Sequence, residues 1–376
     1  MLGLYVHIPF CKQKCRYCDF LSFGGKSERD MAEYVSLLLT ELDLLPKQGE
    51  RLNSVFFGGG TPSLLPANAL PDLLEKLNAN YDVSGAEITA EANPGTVDGD
   101  KLFAWRKAGV NRLSLGVQSF EDSELESIGR IHNAKQAEEA FRLARKAGFS
   151  NINLDMMYGL PGQTKQSCMR SLKKAVSLCP EHLSFYSLIL EEGTPLYSDV
   201  ETGKTVLMSE DEAADIGDMG AAFLEKNGFE RYEVSNYAKK GMRCAHNLNY
   251  WQSGDFIAAG LGASFALWSK GEVVLGRNTP DMEEYRRKVA SGERPVAETL
   301  SESGRKAMFT YIMMGLRLVS GFSDETFMER FGVSFSDAFP KAAVNPLFDL
   351  SKGRVRLTKC GFELMNTALC DLMTDI

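Results

Sequence analysis

The chain is poor in features that mark whole classes of proteins. It has 42 Lys and Arg against 50 Asp and Glu, and its net charge of −8 argues against a general nucleic-acid binder. No apolar run approaches the ~20 residues that a membrane-spanning helix needs. The N-terminus has no basic flank and no long apolar run, so we expect no signal peptide and a cytoplasmic location. A peripheral membrane contact and a homodimer stay open.

Histidine is scarce, and most of the cysteines are unpaired in sequence. There are 4 His and 8 Cys among 376 residues. Scattered cysteines suit a reducing compartment better than a disulfide framework, and this group is Cys168, Cys179, Cys244, Cys360 and Cys370. The remaining cysteines lie together near the start of the chain.

Cys11, Cys15 and Cys18 have the spacing Cys-x3-Cys-x2-Cys. Structural zinc sites and electron-carrying iron–sulfur cubes both take four protein ligands. Three thiolates on a cube of four irons keep one iron open to a ligand that is not protein. On the residues alone, two alternatives stay open: buried thiols that act as small hydrophobes, or a zinc site completed elsewhere. The apolar run 4–8 predicts that the loop follows a strand, where a parallel barrel places its chemistry.

Short apolar strands alternate with amphipathic helices over the first two-thirds of the chain. We predict six strand–helix rounds, the last strand being His182–Ser187, and therefore parallel strands with crossover helices. Residues 240–290 look irregular, and 291–304 look like a polar connection. The tail is predicted to be helical with a hairpin at Lys352-Gly353, and Ser323 and Thr358 are candidate N-caps.

Polar groups follow successive predicted strands. Glycines that permit close backbone approach occur after the second strand, carboxylates end the third and fifth, and Gln118 follows the fourth. The alternative for each group taken singly is an ordinary solvated loop. The segments are Gly58-Gly-Gly-Thr-Pro62, Glu91, Gln118 with Arg130, and Asp155.

The cysteine spacing resembles that of the radical S-adenosylmethionine superfamily, in which the methionine moiety chelates the open iron of a [4Fe–4S] cluster. The resemblance implies an α/β fold with a partial (βα)6 barrel, which periodicity cannot distinguish from a doubly wound sheet. It divides the chain into a barrel at 1–238, an intermediate segment at 239–300, and a mainly helical, winged-helix-like domain at 301–376.

Longer motifs narrow the resemblance to the oxygen-independent coproporphyrinogen oxidase branch. They are Tyr5-Val-His-Ile-Pro-Phe-Cys11, Gly58-Gly-Gly-Thr-Pro62, Gly116-Val-Gln-Ser-Phe120 and Tyr158-Gly-Leu-Pro-Gly162. The resemblance implies that Cys11, Cys15 and Cys18 hold the cluster. It also implies a set of residues that contact S-adenosylmethionine or border the cluster: Tyr5, Tyr17, Gly59, Gly60, Thr61, Glu91, Gln118, Arg130 and Asp155.

Two features resemble the HemW-type haem chaperones within that branch. The oxidases have a fourth cysteine where this chain has Phe20. The segment His246-Asn-Leu-Asn-Tyr-Trp251 matches the His-Asn-x-x-Tyr-Trp motif of the HemW type, whose histidine is implicated in haem binding. The resemblance implies that His246 ligates haem iron beside Tyr250 and Trp251. The alternative is a hydrogen-bonded structural histidine.

The resemblance therefore implies a protein that binds haem and delivers it to acceptor proteins, without coproporphyrinogen oxidase activity. A flavodoxin or ferredoxin-type reductant is expected to dock at Lys12, Lys14 and Arg16. One alternative is an oxygen-independent coproporphyrinogen III dehydrogenase that abstracts hydrogen from a propionate arm by radical chemistry. A scaffold that holds a cluster and catalyses nothing is a third interpretation.

Overall fold

The computed structural model describes residues 1–373, and a twelve-stranded sheet runs through its centre. Six parallel strands form the middle of this sheet in chain order: β1 (Leu2–Ile8), β2 (Ser54–Gly59), β3 (Glu87–Ala92), β4 (Arg112–Gln118), β5 (Ile152–Tyr158) and β6 (His182–Ser187). The crossover segments carry the helices Glu28–Leu44, Ala69–Asn80, Gly99–Ala108, Asp122–Ser127, Ala134–Lys146 and Lys165–Ser177. The predicted alternation is confirmed. The sheet stays open, because β1 and β6 each pair with a further strand instead of with each other.

Each barrel strand has an apolar face and an interior face. In β1, Leu4, Val6 and Ile8 are buried in the large core that lies between the sheet and the helices. Because side chains alternate along a strand, Tyr5 and His7 lie on the other face, inside the barrel. The same alternation along the other strands fills the barrel interior with polar and charged side chains.

The crossover helices begin at well-defined caps, which fix where the loops at the strand ends stop. The side chains of Ser27, Asn133 and Thr164 each accept a hydrogen bond from the backbone amide three residues on, and the backbone amide of each donates one to the side chain of that later residue. These reciprocal pairs satisfy amide groups that a helix start leaves without intrahelical partners.

Residues 240–290 are not irregular, which corrects the prediction. The strand Asp255–Ala259 pairs in parallel with β1, and three antiparallel strands continue the sheet from there. The polar stretch predicted as a connection contains the last of these strands, whose side chains are almost all exposed, so hydrophobic alternation did not reveal it. The elements are Ala245–Trp251, Asp255–Ala259, Ser264–Ser269, Glu272–Asn278, Met282–Ala290 and Val296–Ser303; two short strands, Glu230–Arg231 and Asn236–Ala238, lie beyond β6.

A buried carboxyl group ties these added strands to the first helix. Glu41 is 1% exposed and accepts hydrogen bonds from the Gly260 amide (2.7 Å), the Asn278 amide (2.7 Å) and the Tyr285 hydroxyl (2.6 Å). Burial raises the pKa of Glu41 to about 7. Its three hydrogen bonds offset part of the cost of removing it from water.

The C-terminal part combines helices with a small three-stranded sheet. The hairpin at Lys352-Gly353 and the caps Ser323 and Thr358 are confirmed. The core of the C-terminal part is rich in phenylalanine. The guanidinium carbon of Arg330 lies 4.7 Å from the ring centroid of Trp268, a residue of the large sheet. The strands are Phe322–Ser323, Phe348–Asp349 and Arg354–Leu357, and the helices are Gly304–Gly315, Asp324–Phe331, Phe335–Ala338, Pro340–Ala343, Lys359–Glu363 and Met365–Met373.

Two more helices, Pro195–Glu201 and Glu210–Lys226, follow β6. Within residues 1–373, no helix has the length and apolar character needed to cross a bilayer.

Candidate cofactor site

A cavity of about 530 Å³ opens where the six parallel strands end. Parallel strands of a barrel bring their C-terminal ends to the same face, so loops far apart in sequence meet there. Every barrel strand, or the loop that follows it, contributes to the wall. The lining includes the three clustered cysteines, Tyr17, Gly59, Gly60, Thr61, Glu91, Gln118, Arg130, Asp155 and Tyr186.

The cysteine loop is fixed by contacts at both of its ends. Phe10–Cys11 pairs in parallel with Phe23–Gly24, and the Phe23 amide donates to the Pro9 carbonyl (2.8 Å). His7, inside the barrel, bonds through Nε2 to the Leu21 carbonyl (2.8 Å). The loop is therefore held by the strand that precedes it.

Arg16 anchors the middle of this loop to distant parts of the chain. Its backbone amide donates to the Ile128 carbonyl (3.0 Å), and its side chain donates to the Ser127 carbonyl (3.2 Å) and forms an ion pair with Asp199. Its carbonyl accepts from the Leu196 amide (2.9 Å). The side chain and backbone of Arg16 thus make structural contacts. This corrects the prediction that Arg16 helps to attract a reductant at the cavity entrance.

The three clustered thiols share one wall of this cavity. All three are half-buried and line the same cavity. Within residues 1–373, no three His, Cys, Asp or Glu side chains form a ligand group for one metal ion. In a cubane each thiolate binds a different iron, so the sulfur atoms need not converge on one point.

Hydrogen-bond donors lie near two of the three sulfur atoms. The Thr61 hydroxyl faces the sulfur of Cys11 at 3.6 Å, and a guanidinium nitrogen of Arg130 lies 3.4 Å from the sulfur of Cys15. Burial raises the pKa of Cys18 to about 11, and binding to iron acts in the opposite direction. These residues fit a [4Fe–4S] cluster.

The glycine segment after β2 packs against the cysteine loop with no room for side chains. Gly59 has φ +109°, and a Cβ there would lie 2.3 Å from the His7 ring. A Cβ on Gly60 would lie 2.7 Å from the Phe10 carbonyl. The amides of Gly60 and Thr61 donate to carbonyls of β1 and of the cysteine loop. Glycine is therefore required here by close approach.

Two half-buried carboxyl groups form one wall of the cavity. Glu91 accepts from the Gly59 amide (3.1 Å), and Asp155 accepts from Ser114 (3.2 Å) and Asn153 (2.7 Å). Burial, followed by the charge of Asp155, raises the pKa of Glu91 to about 7, and burial also raises the pKa of Asp155. A cationic ligand beside them would favour their ionised forms, and the sulfonium of S-adenosylmethionine is such a cation.

Gln118 lies at an irregularity at the end of β4. It has φ +69°, and its side-chain oxygen accepts from the Tyr186 hydroxyl (3.0 Å). A strained backbone held in place by its neighbours is common in ligand sites. Arg130 donates to the Gly116 carbonyl of the same strand, which places its guanidinium between this strand end and Cys15.

Comparison with known proteins agrees with this geometry. Residues 5–175 match the Radical SAM superfamily, and residues 303–364 match the HemN C-terminal domain. Heme chaperone HemW of Escherichia coli is 45% identical over 265 residues, which cover 70% of this chain and 69% of that protein. Heme chaperone HemW of Bacillus subtilis is 36% identical over 374 residues, 97% of each chain. The chain belongs to the HemW family.

The fold of this HemW-family chain has a close counterpart among solved structures. Coproporphyrinogen III oxidase (HemN) from Escherichia coli, a radical SAM enzyme, matches with a TM-score of 0.85 and 22% identity. The match covers 100% of this chain and 90% of that one. At this identity the likeness concerns the fold, and it agrees with the predicted partial barrel.

The structure brings most of the predicted residues of the HemW-family site together. Every predicted cluster or S-adenosylmethionine contact lines the cavity except Tyr5, which lies inside the barrel with its hydroxyl 3.0 Å from Nδ1 of His7. Sequence reasoning missed Asn93, Tyr186 and Ser187, which also line the cavity. Their position at strand ends was the available signal.

His246 lies at the opposite end of the barrel. It is 1% exposed, its Nδ1 bonds to Ser54 at the start of β2 (2.9 Å), and its Nε2 bonds to Tyr250 (2.6 Å). Its ring also stacks on Phe56. Both ring nitrogens are therefore in use in this conformation, and haem ligation by His246 stays a prediction.

Replacing Cys11, Cys15 or Cys18 by Ala should remove the cluster, because two thiolates cannot hold a cube that needs three. Iron and sulfide content and visible absorption after anaerobic reconstitution would measure this. The exposed thiol Cys360 is the matched control, and Cys360→Ala should keep full iron content. Zinc in place of iron in the parent protein would overturn the assignment.

Glu91→Gln should weaken S-adenosylmethionine binding and remove its pH dependence. With a pKa of about 7, Glu91 is mostly ionised at pH 8 and mostly protonated at pH 6, so affinity should fall about tenfold between these values if only the ionised form binds. Equilibrium binding to the cluster-loaded protein would measure this fall. Glu41→Gln, which alters a buried carboxyl outside the cavity, should keep the parent pH profile; an unchanged profile in Glu91→Gln would exclude Glu91.

Proposed function

We propose that this protein is a haem chaperone that binds haem and passes it to acceptor proteins, while its cavity holds a [4Fe–4S] cluster and S-adenosylmethionine. The observation that carries the proposal is the match to HemW proteins along nearly the whole chain. Family membership alone does not assign a role to any residue, so the residue roles rest on the geometry of this chain.

Phe20 supports the chaperone over the dehydrogenase. It is 64% exposed and lines the cavity mouth, together with Ile189, which is 68% exposed. In the oxidases the position of Phe20 is a fourth cysteine, so this chain offers apolar surface where they offer a thiol. The coproporphyrinogen III dehydrogenase would use the same three-cysteine ligand set, and it is not favoured.

The cavity residues have distinct roles in this proposal. Cys11, Cys15 and Cys18 would hold the cluster, which when bound would supply one-electron chemistry at this cavity. Glu91 and Asp155 face the cationic part of the cofactor. Its remaining contacts come from the glycine segment, Thr61, Gln118, Arg130 and Tyr17, whereas Tyr5 does not line the cavity and bonds to His7 inside the barrel.

We also propose that His246 ligates haem after its helix rearranges. Burial, with a smaller contribution from Arg112, lowers the pKa of His246 to about 3, so the imidazole is neutral, which is the form that binds iron. Iron at Nε2 would replace the hydrogen bond to Tyr250. Haem binding therefore requires the end of the barrel to open around this residue.

The proposed docking site for the reductant consists of Lys12 and Lys14, which are exposed on the cysteine loop. An acidic flavodoxin or ferredoxin-type protein would be attracted to them. We expect cluster reduction by such a protein to slow several-fold as ionic strength rises, because salt screens exposed charges. Stopped-flow absorption would measure the rate. Lys12→Ala/Lys14→Ala should remove most of this dependence and the exposed Lys240→Ala should not; salt-independent reduction of the parent protein would refute the docking site.

Haem titration should give a Soret band that weakens or shifts in His246→Ala. His132 is another buried histidine, bonded to the Val117 carbonyl and outside any motif, so His132→Ala is the matched control. Tyr250→Phe should bind haem at least as tightly as the parent protein, because it frees Nε2. An unchanged spectrum in His246→Ala would remove this residue as a ligand.

Anaerobically reconstituted protein that carries the cluster, given coproporphyrinogen III, reductant and S-adenosylmethionine, should form no protoporphyrinogen. Turnover at an enzyme-like rate would favour the dehydrogenase instead.

A further inference from the structure

A chain of buried hydrogen bonds joins the cofactor cavity to the far end of the barrel. Asp155 accepts from Asn153 Nδ2 (2.7 Å), and Asn153 Oδ1 lies 2.6 Å from His182 Nδ1. His182 Nε2 lies 2.8 Å from the Tyr232 hydroxyl. Asn153, His182 and Tyr232 are all at most 3% exposed. Water therefore does not compete for these bonds.

The carboxylate of Asp155 fixes the direction of every bond in this chain. In its ionised form Asp155 can only accept, so the amide NH2 of Asn153 faces it and the amide oxygen faces His182. Nδ1 of His182 must then carry the proton, which leaves Nε2 as the acceptor for the Tyr232 hydroxyl. Burial lowers the pKa of His182 well below its usual range, in agreement with this neutral tautomer.

Tyr232 connects this chain to two other parts of the molecule. Its hydroxyl oxygen accepts from the backbone amide of Cys244, the residue that precedes the helix Ala245–Trp251. Its carbonyl accepts from the amide of Val319 in the C-terminal part (3.1 Å). One tyrosine thus contacts the hydrogen-bond chain from the cavity, the start of the His246 helix and the C-terminal part.

We propose that Asn153, His182 and Tyr232 are positioning residues that couple occupancy of the cofactor cavity to the His246 helix. A cofactor donor at Asp155 competes with Asn153 for the same carboxylate oxygens. Because each hydrogen bond fixes the next, a change at Asn153 alters the hold of His182 on Tyr232 and of Tyr232 on Cys244. This inference rests on the proposed function, since it takes haem as the ligand of that helix.

Coupling of this kind must act in both directions. If S-adenosylmethionine changes the affinity for haem by some factor, haem changes the affinity for S-adenosylmethionine by the same factor. The factor is the ratio of the haem Kd values without and with S-adenosylmethionine. A purely structural role of Tyr232 would alter stability without altering this ratio.

Tyr232→Phe removes the hydroxyl and keeps the ring. Tyr232→Phe loses the hydrogen bonds of that hydroxyl to His182 and Cys244. Tyr285→Phe is the control, because Tyr285 is also buried and its hydroxyl bonds to Glu41, which is not part of the hydrogen-bond chain. Haem titration of the cluster-loaded protein, followed by the Soret band with and without S-adenosylmethionine, gives the ratio. We expect a ratio that differs from one by at least about fivefold in the parent protein and in Tyr285→Phe, and a ratio within about twofold of one in Tyr232→Phe.

The outcomes separate this inference from the proposed function. A parent protein that binds no haem refutes the proposed function. A parent protein that binds haem with a ratio of one, or a Tyr232→Phe variant that keeps the parent ratio, overturns the coupling and leaves the proposed function in place.

A second measurement uses the parent protein alone, in case Tyr232→Phe does not fold. Adding S-adenosylmethionine should change the hydrogen-exchange rates of the amides at 244–251, at the far end of the barrel from the cavity. The helix Met282–Ala290 is not part of the hydrogen-bond chain, so its amides should keep their hydrogen-exchange rates. Unchanged exchange at 244–251 overturns the inference.

Discussion

Charged and polar side chains fill the interior of the barrel, and the cost of burying them determines what its two ends can do. Arg112 is buried inside the barrel, and Glu91 and Asp155 are half-buried at its cavity end. A buried charge needs a partner or it takes its neutral form. At the cavity end, burial raises the pKa values of Glu91 and Asp155 although the charge of Arg112 acts in the opposite direction, and a cationic ligand would further favour their ionised forms. At the other end, His182, Tyr232 and His246 are satisfied by protein groups.

The two ends of the barrel therefore have different roles in the proposed chaperone. The groups that suit a cluster and S-adenosylmethionine lie where the parallel strands stop, and His246 lies beside Ser54, where β2 begins. Haem held by His246 would be separated from the cluster by the barrel interior. Such a separation suits a cofactor that regulates haem binding better than one that reacts with haem. It also explains why a cavity like that of an oxidoreductase is compatible with a chaperone.

Much of the site was predictable because parallel strands bring their ends to one face. That rule alone groups the cysteine loop with Glu91, Gln118 and Asp155. Tyr186 and Ser187 were not predicted as site residues, because no motif marks the end of their strand. The strand itself was correctly placed. The location of His246 could not be predicted either. A short motif specifies residue types, whereas the choice of barrel end depends on how the chain returns after β6. The strand Val296–Ser303 was missed for a different reason, since an exposed edge strand carries little hydrophobic pattern.

The contacts of Arg16 have a consequence for how this protein acquires its cluster. The thiols are translated more than a hundred residues before the groups that hold the middle of their loop, which are Ser127, Ile128, Leu196 and Asp199. A nascent chain that ends before them has the sulfur atoms without the scaffold that spaces them. Metal delivery to the HemW fold therefore belongs after translation of the whole barrel.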